Sequence, residues 1–333
     1  MLMDSPIIDR EDIERLEEAE NVLSSTDTDA FKKTIAVLWQ LVLDVICTSL
    51  SVRIRAAALL TRAQNNSNRQ EISLSSIRNV RSVISTSIQV LTELSPHLDA
   101  ESDLIQYWFL FLSTTIIHLD PAMCGVFFSL AMYPRLLTLL IENLCGTCNK
   151  VVASLSFCLA IFHSHEQMCQ IEMLSPLITK VEGREYIGSA LLHALNFCGR
   201  PCPEIYKSHL RYTIQLLIHI LSDEQMSSSL LFVNDIKILI EILLRECVDA
   251  SWDDIGLVYY LKLLDPILQS AQFLAAEKYR RDEILVMLQC IAHRASVKLK
   301  EAPEGSFSAD DTITRSMLEC SQSALLKHIN VLD

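Results

Sequence analysis

Apolar residues recur at helical spacing along most of the chain, and two segments show this most clearly. In residues 29–50 and 73–95 the apolar positions follow one another at steps of three and four, which places them on one face of a helix. These positions are Phe31, Ile35, Leu38, Val42 and Val45 in the first segment and Ile77, Val80, Ile84, Ile88 and Leu91 in the second. Both segments are therefore predicted to be helices that bury one face.

The same pattern predicts helices throughout the sequence. They are expected near residues 6–24, 29–50, 52–64, 73–95, 101–119, 121–132, 134–145, 148–162, 166–181, 184–197, 203–222, 230–246, 251–271, 277–298 and 309–331. Many helices with short connections and no strict sequence repeat favour an all-α, armadillo/HEAT-like helical superhelix with irregular repeats. We expect residues 1–28 to form an acidic N-terminal helix or cap, and residues 29–333 to form a single armadillo-like domain.

The scarcity of glycine and proline supports the all-α prediction. The 333 residues include 7 Gly and 9 Pro, about 5% where an average chain has about 12%. Tight hairpins and Gly-rich phosphate loops need residues that adopt positive φ, and the chain supplies few of them. Sheet sandwiches and nucleotide-binding loops are therefore not expected.

The charge distribution argues against nucleic acid as a partner. The formal net charge is −13, and residues 1–30 hold ten acidic residues against Arg10 and Arg15. Binding to a phosphate backbone needs a clustered basic surface. Basic residues cluster at one place, which we predict to be a surface patch on two successive helices: Arg53, Arg55, Arg62, Arg69, Arg78 and Arg81.

The cysteines and the apolar runs indicate a reducing compartment and no membrane insertion. The chain has 11 cysteines, mostly within apolar runs, which is typical of small core residues rather than of a disulfide framework. The longest uncharged stretches are shorter than the roughly 18 to 20 residues of a membrane span, and the first 25 residues do not resemble a signal sequence. We expect a cytoplasmic location and a monomer.

Two groups of metal-ligating residues leave alternatives open. Cys145 and Cys148 have zinc-binding spacing, and His163 and His165 follow them, but an apolar helix separates the two pairs. The second group surrounds a predicted turn and consists of His193, Cys198, Cys202 and His209. Each group is either a zinc site, which in the second case would belong to a zinc-dependent enzyme, or a set of thiols and imidazoles with structural roles.

No other catalytic or cofactor-binding motif is present. The sequence has no nucleophile elbow, Walker loop or dinucleotide fingerprint, so we expect a protein that is not an enzyme and binds no cofactor. The stretch Phe31-Lys32-Lys33-Thr34 is similar to an actin-monomer-binding motif. The alternative is that its two lysines are exposed on the first turn of a core helix.

One predicted helix carries a single charged stripe. Lys237, Glu241 and Arg245 lie at positions i, i+4 and i+8 within an otherwise apolar segment, where each pair contributes about 0.2–0.5 kcal/mol. The stripe either faces water or contributes to a partner-binding surface.

At this segment the sequence resembles the helical module of the WISH/DIP/SPIN family, the relatives of the Nck-interacting protein with an SH3 domain. The resemblance lies in three blocks in this order: Phe232-Val-Asn-Asp-Ile-Lys-Ile-Leu-Ile-Glu-Ile-Leu-Leu-Arg-Glu246, Tyr260-Leu-Lys-Leu-Leu-Asp-Pro-Ile-Leu268 and Tyr279-Arg-Arg-Asp-Glu-Ile-Leu285. The sequence shows no SH3 domain or Pro-rich region, so the resemblance is to a compact, fungal-type member.

The resemblance implies a non-catalytic activator of the actin-related protein 2/3 complex. Such an activator nucleates linear seed filaments without a preformed filament, and so supports branched actin assembly at endocytic sites. The implied partners are this complex and, indirectly, the actin filament network at cortical patches of the cytoskeleton. From their positions in the matched blocks and in the arginine-rich region, the expected partner-binding residues are Lys237, Glu241, Arg245, Lys262, Arg280, Arg281, Arg53, Arg55 and Arg62. The alternative is a generic armadillo-type adaptor for protein–protein interaction.

Overall fold

The computed structural model describes residues 8–23, 28–44, 48–66, 77–94, 98–145, 148–199, 202–249, 254–301 and 309–328. Within these ranges it contains seventeen α-helices, two short 3-10 turns and no strand. This confirms the predicted all-α fold class. The chain divides into two compact units, unit 1 (Met1–Arg184) and unit 2 (Glu185–Asp333). The prediction of a single domain over residues 29–333 stays a prediction.

Unit 1 contains nine helices in its described residues. They are α1 (Ile8–Leu23), α2 (Thr28–Leu43), α3 (Leu50–Asn66), α4 (Ile77–Glu93), α5 (Leu98–Ile117), α6 (Pro121–Ser129), α7 (Tyr133–Glu142), α8 (Asn149–Met168) and α9 (Leu174–Ile178). The acidic helix α1 packs on α2 and α3 and buries Leu16 and Ala19 between them. In α2, Lys32 and Lys33 are exposed, whereas Leu38 is fully buried.

The core of unit 1 forms around α8. Every residue from Val151 to His163 is buried, so this helix is covered on all sides, and α5 is its main neighbour. At one end of α8 the rings of Phe127, Phe128, Tyr133 and Phe162 have centroids 5.0 to 6.1 Å apart. Such aromatic pairs contribute about 0.5–1.5 kcal/mol each beyond the area that they bury.

The predicted boundary between helices 148–162 and 166–181 is wrong. The first helix continues to Met168 and ends in a Schellman turn, in which Gln170 adopts a left-handed φ of 57°. The Ile171 amide donates to the Glu166 carbonyl at 2.8 Å, and the Gln170 amide donates to the Gln167 carbonyl at 3.2 Å. Sequence reasoning missed this end because glycine usually marks such a turn, and here a glutamine occupies the left-handed position.

Unit 2 contains the remaining eight helices of the described residues. They are α10 (Ile187–Phe197), α11 (Glu204–Ser222), α12 (Glu224–Leu230), α13 (Val233–Asp249), α14 (Ile255–Gln269), α15 (Ala271–Ala275), α16 (Arg281–Glu301) and α17 (Ala309–Lys327). The short helices α12 and α15 were not predicted, because seven and five residues are too few to show a helical period. Helix α14 packs on α11, α13 and α17, and α16 packs on α13 and α17.

Short polar side chains fix where several helices begin. Asp120, Asp223, Asp254 and Ser270 each accept a hydrogen bond from a backbone amide in the first turn of α6, α12, α14 and α15, at 2.8 to 3.2 Å. These caps satisfy amides that have no partner within the helix, each contributing about 1 kcal/mol. The starts of α12, α14 and α15 are therefore marked by capping residues rather than by glycine.

No single described helix is both long and apolar enough to cross a membrane. The bent pair Pro121–Ser129 and Tyr133–Cys145, whose axes differ by 79°, reaches that length and apolarity only in combination. Its large aromatic side chains, Phe127, Phe128 and Tyr133, are buried in the core of unit 1.

Candidate functional site

The predicted charged stripe is the outer face of α13. Ile236, Leu239, Ile240 and Leu243 are fully buried, whereas Lys237 and Glu241 are half-buried and Arg245 is exposed. Helical periodicity alone accounts for this division. Residues three and four apart share one face of a helix, and only the face that packs on neighbouring helices is buried.

The start of α13 is fixed by its own sequence. The Asp235 carboxylate accepts a hydrogen bond from the Phe232 amide at 2.9 Å, so a side chain three residues into the helix satisfies the backbone at its beginning. Burial raises the pKa of Asp235, and the hydrogen bond from Phe232 opposes this effect. This cap holds the first turn of α13, whereas the burial of Ile236, Leu239, Ile240 and Leu243 leaves the stripe facing outward.

A tight turn carries Tyr279 and Arg280 onto the stripe. It begins as a Schellman turn at the end of α15, where the Lys278 amide donates to the Phe273 carbonyl at 3.1 Å. Glu277, Lys278 and Arg280 have φ values of 56°, 54° and 53°. A left-handed residue other than glycine costs about 1–2 kcal/mol, so packing and side-chain contacts must hold this turn in place.

Five side chains meet where this turn crosses α13, and we call them the Glu241 cluster: Lys237, Glu241, Tyr279, Arg280 and Glu283. The Tyr279 hydroxyl donates to Glu241 Oε1 at 2.7 Å, and Arg280 Nη1 pairs with Glu241 Oε2. Arg280 Nε also lies 2.6 Å from Glu283 Oε1. The Lys237 ammonium lies 5.7 Å from the centre of the Tyr279 ring, within the range of a cation–π contact.

The hydrogen bonds of the cluster favour the protonated forms of its donors. The hydrogen bond to Glu241 raises the pKa of Tyr279 because the neutral phenol is the donor. The hydrogen bond to Glu283, together with the charge of Glu241, raises the pKa of Arg280. The cluster therefore presents a fixed arrangement of two carboxylates, an ammonium and a guanidinium on a partly exposed surface.

The other residues predicted from the matched blocks lie around this cluster rather than in it. Arg245 pairs with Glu246 at 2.7 Å and donates to the Asn196 side chain of α10 at 3.1 Å. Arg281 begins α16 and lies 3.2 Å from Asp282. Lys262 is exposed on α14. The structure thus brings together Lys237, Glu241 and Arg280 of the predicted set, and their role in partner binding stays a prediction.

Sequence reasoning did not single out Tyr279 or Glu283, although both lie in the third matched block. A signal for Tyr279 was available, since it directly precedes two arginines in the sequence. Its contact with Glu241 could not be read from spacing, because 38 residues separate them.

The arginine-rich region of unit 1 requires a correction, because Arg53 is not on the surface. Its side chain is 1% exposed on α3, and Nη1 donates to Gln89 Oε1 at 3.3 Å. Burial lowers its pKa to about 10, an effect that the charges of Asp44 and Glu93 oppose. The spacing of arginines along a chain does not show which of them faces the core, and Arg53 falls on the packed face of α3 with Ile54, Ala56 and Ala57.

The remaining arginines of this region lie in different surroundings. Arg55 and Arg81 are exposed. Arg62 is exposed too, and it pairs at 2.9 Å with Glu20 of the acidic helix α1. Arg69 and the side chain of Arg78 lie outside the described residues. The predicted patch is therefore smaller than expected, and Arg55 and Arg62 stay predictions as partner-binding residues.

The predicted zinc ligands do not come together in the described part of the chain. No group of three His, Cys, Asp or Glu side chains there could hold a metal ion. In the second group Cys198 hydrogen-bonds Cys202, which raises the pKa of Cys198 and lowers that of Cys202. His209 packs against the Tyr206 ring, with centroids 5.8 Å apart. These contacts support the structural interpretation of that group.

The side chains of the first group are likewise part of the helical structure. Cys145 is exposed and Cys148 is half-buried, whereas His163 and His165 are buried within α8. His165 Nδ1 lies 2.9 Å from the Ile161 carbonyl in the preceding turn of the helix. Residues 146 and 147, between the two cysteines, lie outside the described residues.

Comparison with known families agrees with the resemblance read from the sequence. Residues 143–284 match the family model described as SPIN90/Ldb17, leucine-rich domain. The match contains the first two sequence blocks and all but the last residue of the third, and it includes the Glu241 cluster. No curated protein matches the sequence.

Proposed function

We propose that the protein activates the actin-related protein 2/3 complex by binding it. The proposal is supported by the likeness of residues 143–284 to the SPIN90/Ldb17 leucine-rich domain, which agrees with the resemblance read from the sequence and supports an actin-associated role. The proposed product is a linear seed filament, formed without a preformed filament. The observation that carries this proposal is the family match over the region that holds the three sequence blocks.

The Glu241 cluster is the surface that we propose for this contact. Its side chains are already held by one another, since Glu241 binds both Tyr279 and Arg280 and the latter also binds Glu283. Charged side chains that are ordered before binding lose less conformational entropy when a partner docks. The cluster also lies where two elements cross, so it presents α13 and the turn before α16 as one rigid surface.

Activation by binding requires unequal affinity for two arrangements of the partner complex. A protein that contacts the filament-like arrangement better than the inactive one shifts the equilibrium by that difference, about 1.4 kcal/mol for each tenfold change. No covalent step is part of the proposal. In the cell, we propose, the protein is cytoplasmic, lies at cortical actin patches and supports endocytosis.

An actin polymerisation assay without preformed filaments tests the proposal. Purified complex and actin are mixed with the protein, and the lag before fluorescence of labelled actin rises is measured. We expect the lag to shorten with increasing protein concentration. An unchanged lag at saturating protein would contradict the proposed activity.

Charge-reversal variants test the surface separately from the activity. Arg281→Glu changes a half-buried residue beside the cluster, and Glu241→Lys removes the acceptor of both Tyr279 and Arg280. We expect each variant to reduce activation about tenfold, a loss of about 1.4 kcal/mol in binding. The matched control is Arg135→Glu, which reverses an exposed charge on α7 outside the matched residues. Activation that is unchanged in Arg281→Glu and Glu241→Lys would place the contact elsewhere, and Arg55→Glu then tests the arginine-rich region.

A further inference from the structure

Two thiols meet where the chain passes from α10 to α11. Cys198 caps the C-terminus of α10, and Cys202 lies two residues before the start of α11. Cys198 hydrogen-bonds Cys202, and Cys202 Sγ in turn donates to the Pro203 carbonyl at 3.6 Å. Residues 200 and 201 lie outside the described residues. The contact between the thiols meets a first requirement of a disulfide, which forms only between cysteines whose side chains point toward each other.

Packing at the ends of the two helices holds this arrangement. The rings of Phe197, the last residue of α10, and Tyr206, in the first turn of α11, have centroids 5.4 Å apart and an interplanar angle of 75°. Gly199 has a φ of 77°, a left-handed conformation that ends α10 directly after Cys198. The fold itself therefore keeps the two thiols beside each other.

The two thiols differ in exposure and in acidity. Cys198 is 1% exposed, whereas Cys202 is half-buried. The hydrogen bond from Cys198 lowers the pKa of Cys202, and the charge of Lys207 acts in the same direction, although burial and the carboxylates of Asp254 and Glu246 oppose them. The same hydrogen bond, together with burial, raises the pKa of Cys198. Because the thiolate is the reactive form of cysteine, Cys202 is the thiol that reacts first with an external reagent.

We propose that Cys198 and Cys202 are a redox-active pair that forms a reversible disulfide, with Cys202 as the attacking thiol and Cys198 as the resolving thiol. Cysteines that respond to oxidants are typically accessible and lie next to a second cysteine that resolves the first product. Cys202 meets the first condition and Cys198 the second. The inference goes beyond the proposed function, since it requires neither actin nor the partner complex.

The proposed oxidant is a small-molecule disulfide, represented by glutathione disulfide. Cys202 loses its proton to solvent, and its thiolate attacks one sulfur of the oxidant. A bond between Cys202 and glutathione forms as the bond between the two glutathione sulfurs breaks, and the glutathione thiolate that leaves takes a proton from solvent. Cys198 then attacks the Cys202 sulfur, and its proton passes to the second glutathione as that leaves. The protein thus gives up two electrons and two protons, and the oxidant becomes two molecules of glutathione.

The pair lies beside the charged stripe of α13. Asn196, two residues before Cys198, accepts a hydrogen bond from Arg245 Nη2 at 3.1 Å. The neighbouring Glu246 is close enough to influence both thiols electrostatically. A disulfide between Cys198 and Cys202 would therefore restrain the end of α10 that contacts this stripe.

Equilibration of the full-length protein with glutathione tests the proposal. The protein is incubated at increasing ratios of glutathione disulfide to glutathione, quenched with acid, labelled with N-ethylmaleimide and digested with trypsin. Because Arg200 precedes Pro201, trypsin leaves both cysteines in one peptide, residues 185–207. Mass spectrometry should show the doubly labelled peptide replaced by an unlabelled one that is two hydrogen atoms lighter than the dithiol, and dithiothreitol should reverse the change.

Three results of this experiment would overturn the proposal. The first is a doubly labelled peptide that persists in glutathione disulfide alone. The second is a mixed disulfide between Cys202 and glutathione that persists at equilibrium, because it would show that Cys198 does not resolve it. The third is a disulfide that joins either residue to another cysteine.

Single substitutions test the roles of the two thiols. In Cys198→Ser we expect Cys202 to keep glutathione as a stable mixed disulfide, because the resolving thiol is missing. In Cys202→Ser we expect Cys198 to acquire glutathione at least about tenfold more slowly, because its thiol is buried. The matched control is Cys320→Ser, which removes a half-buried thiol of α17 and should leave oxidation of the pair unchanged. Circular dichroism verifies that the variants are folded, and equal glutathione uptake by Cys198→Ser and Cys202→Ser would contradict the assigned roles.

Alkylation of the reduced protein gives a second measurement without substitution. Cys202 and Cys320 are both half-buried, but burial raises the pKa of Cys320. We expect iodoacetamide near pH 7 to modify Cys202 at least about tenfold faster than Cys320, as followed by mass spectrometry. Equal rates would contradict the assignment of Cys202 as the attacking thiol. Failure of these tests would leave the polymerisation assay unaffected, because that assay is carried out with reduced protein.

Discussion

Two glutamates on largely apolar helices have the same kind of tyrosine partner and opposite surroundings. Glu166 of α8 is 2% exposed, and its Oε1 accepts from the Tyr133 hydroxyl at 2.5 Å. Glu241 of α13 is half-buried and accepts from the Tyr279 hydroxyl at 2.7 Å. The first carboxylate lies in the core of unit 1, and the second lies on the surface of unit 2.

The remaining partners of the two carboxylates show what each one stabilises. Glu166 Oε2 accepts from the amides of Met173 and Leu174, both at 3.0 Å, and so holds the start of α9 against the end of α8. Glu241 pairs instead with Arg280 on a turn that contains left-handed residues. A carboxylate bound by backbone amides in the core organises the fold, whereas one paired with a cation at the surface organises an exposed set of charges.

The largest expected effect is the loss of stability on removing the buried carboxylate. Glu166→Ala leaves the Tyr133 hydroxyl and two backbone amides without their acceptor, and we expect the free energy of unfolding to fall by about 3 kcal/mol. Urea unfolding followed by circular dichroism measures the change. The matched control is Glu172→Ala, an exposed carboxylate in the same turn, which should change stability by less than about 0.5 kcal/mol. Equal losses in the two variants would show that Glu166 does not organise the core.

At the surface carboxylate we expect a small effect on stability and a larger effect on activation. Glu241→Ala is expected to lower the free energy of unfolding by about 1 kcal/mol, because ion pairs open to solvent contribute little. Its effect on activation in the polymerisation assay should be larger, about tenfold. A loss of stability as great as that of Glu166→Ala, with activation intact, would remove the distinction between the two sites.

The pH dependence of stability sharpens the comparison further. Burial raises the pKa of Glu166 above its usual value of 4.5, although the hydrogen bonds from Tyr133, Leu174 and Met173 oppose this effect. As the pH falls through the range just above 4.5, the folded protein therefore binds a proton more readily than the unfolded chain does. The stability that this proton contributes is present at low pH and is lost as the pH rises through the folded-state pKa.

Glu166→Gln removes this titration. We expect the difference in unfolding free energy between the unsubstituted protein and Glu166→Gln to be larger near pH 4.5 than near pH 7, as measured by urea unfolding at the two values. A difference that instead grows with pH would show that the hydrogen bonds outweigh burial and lower the pKa of Glu166.

The smallest expected effects come from the left-handed residues in the turns that follow α8 and α15. Gln170 and Glu277 have φ values of 57° and 56° at the ends of α8 and α15. Replacing either with glycine relieves the steric cost of the left-handed conformation and adds conformational freedom to the unfolded chain, so we expect a net gain of about 0.5 kcal/mol. Thermal unfolding measures it, and lower melting temperatures in both variants would contradict the assignment of these turns.

Much of the fold could be predicted from the sequence, because it depends on local periodicity. The stripe of residues 73–95 is buried in α4 as expected at Val80, Ile84 and Leu91. The charged stripe of α13 was likewise predicted, since a period of 3.6 residues fixes which side chains share a helical face. The errors lie at helix ends, where Gln170 and Glu277 occupy positions that glycine usually fills.

The candidate site was predicted only in part, for a different reason. Lys237, Glu241 and Arg280 were named from the matched blocks, but nothing in the sequence showed that Arg280 pairs with Glu241, 39 residues away. Arg53 shows the same limit, since its charge indicated a surface and its packing placed it in the core. Charge and composition do not reveal which neighbours a side chain meets.

By itself, then, the sequence determined the helical class, the faces of the long helices and the family to which residues 143–284 are similar. The tertiary structure alone decided which charges meet, that Glu166 faces inward, and that the thiols of Cys198 and Cys202 contact each other. The physical reason is that helix formation and amphipathic faces depend on residues within a few turns of one another. The pairing of charges and the contact between those thiols depend on how separate helices pack, which side chains far apart in the chain determine together.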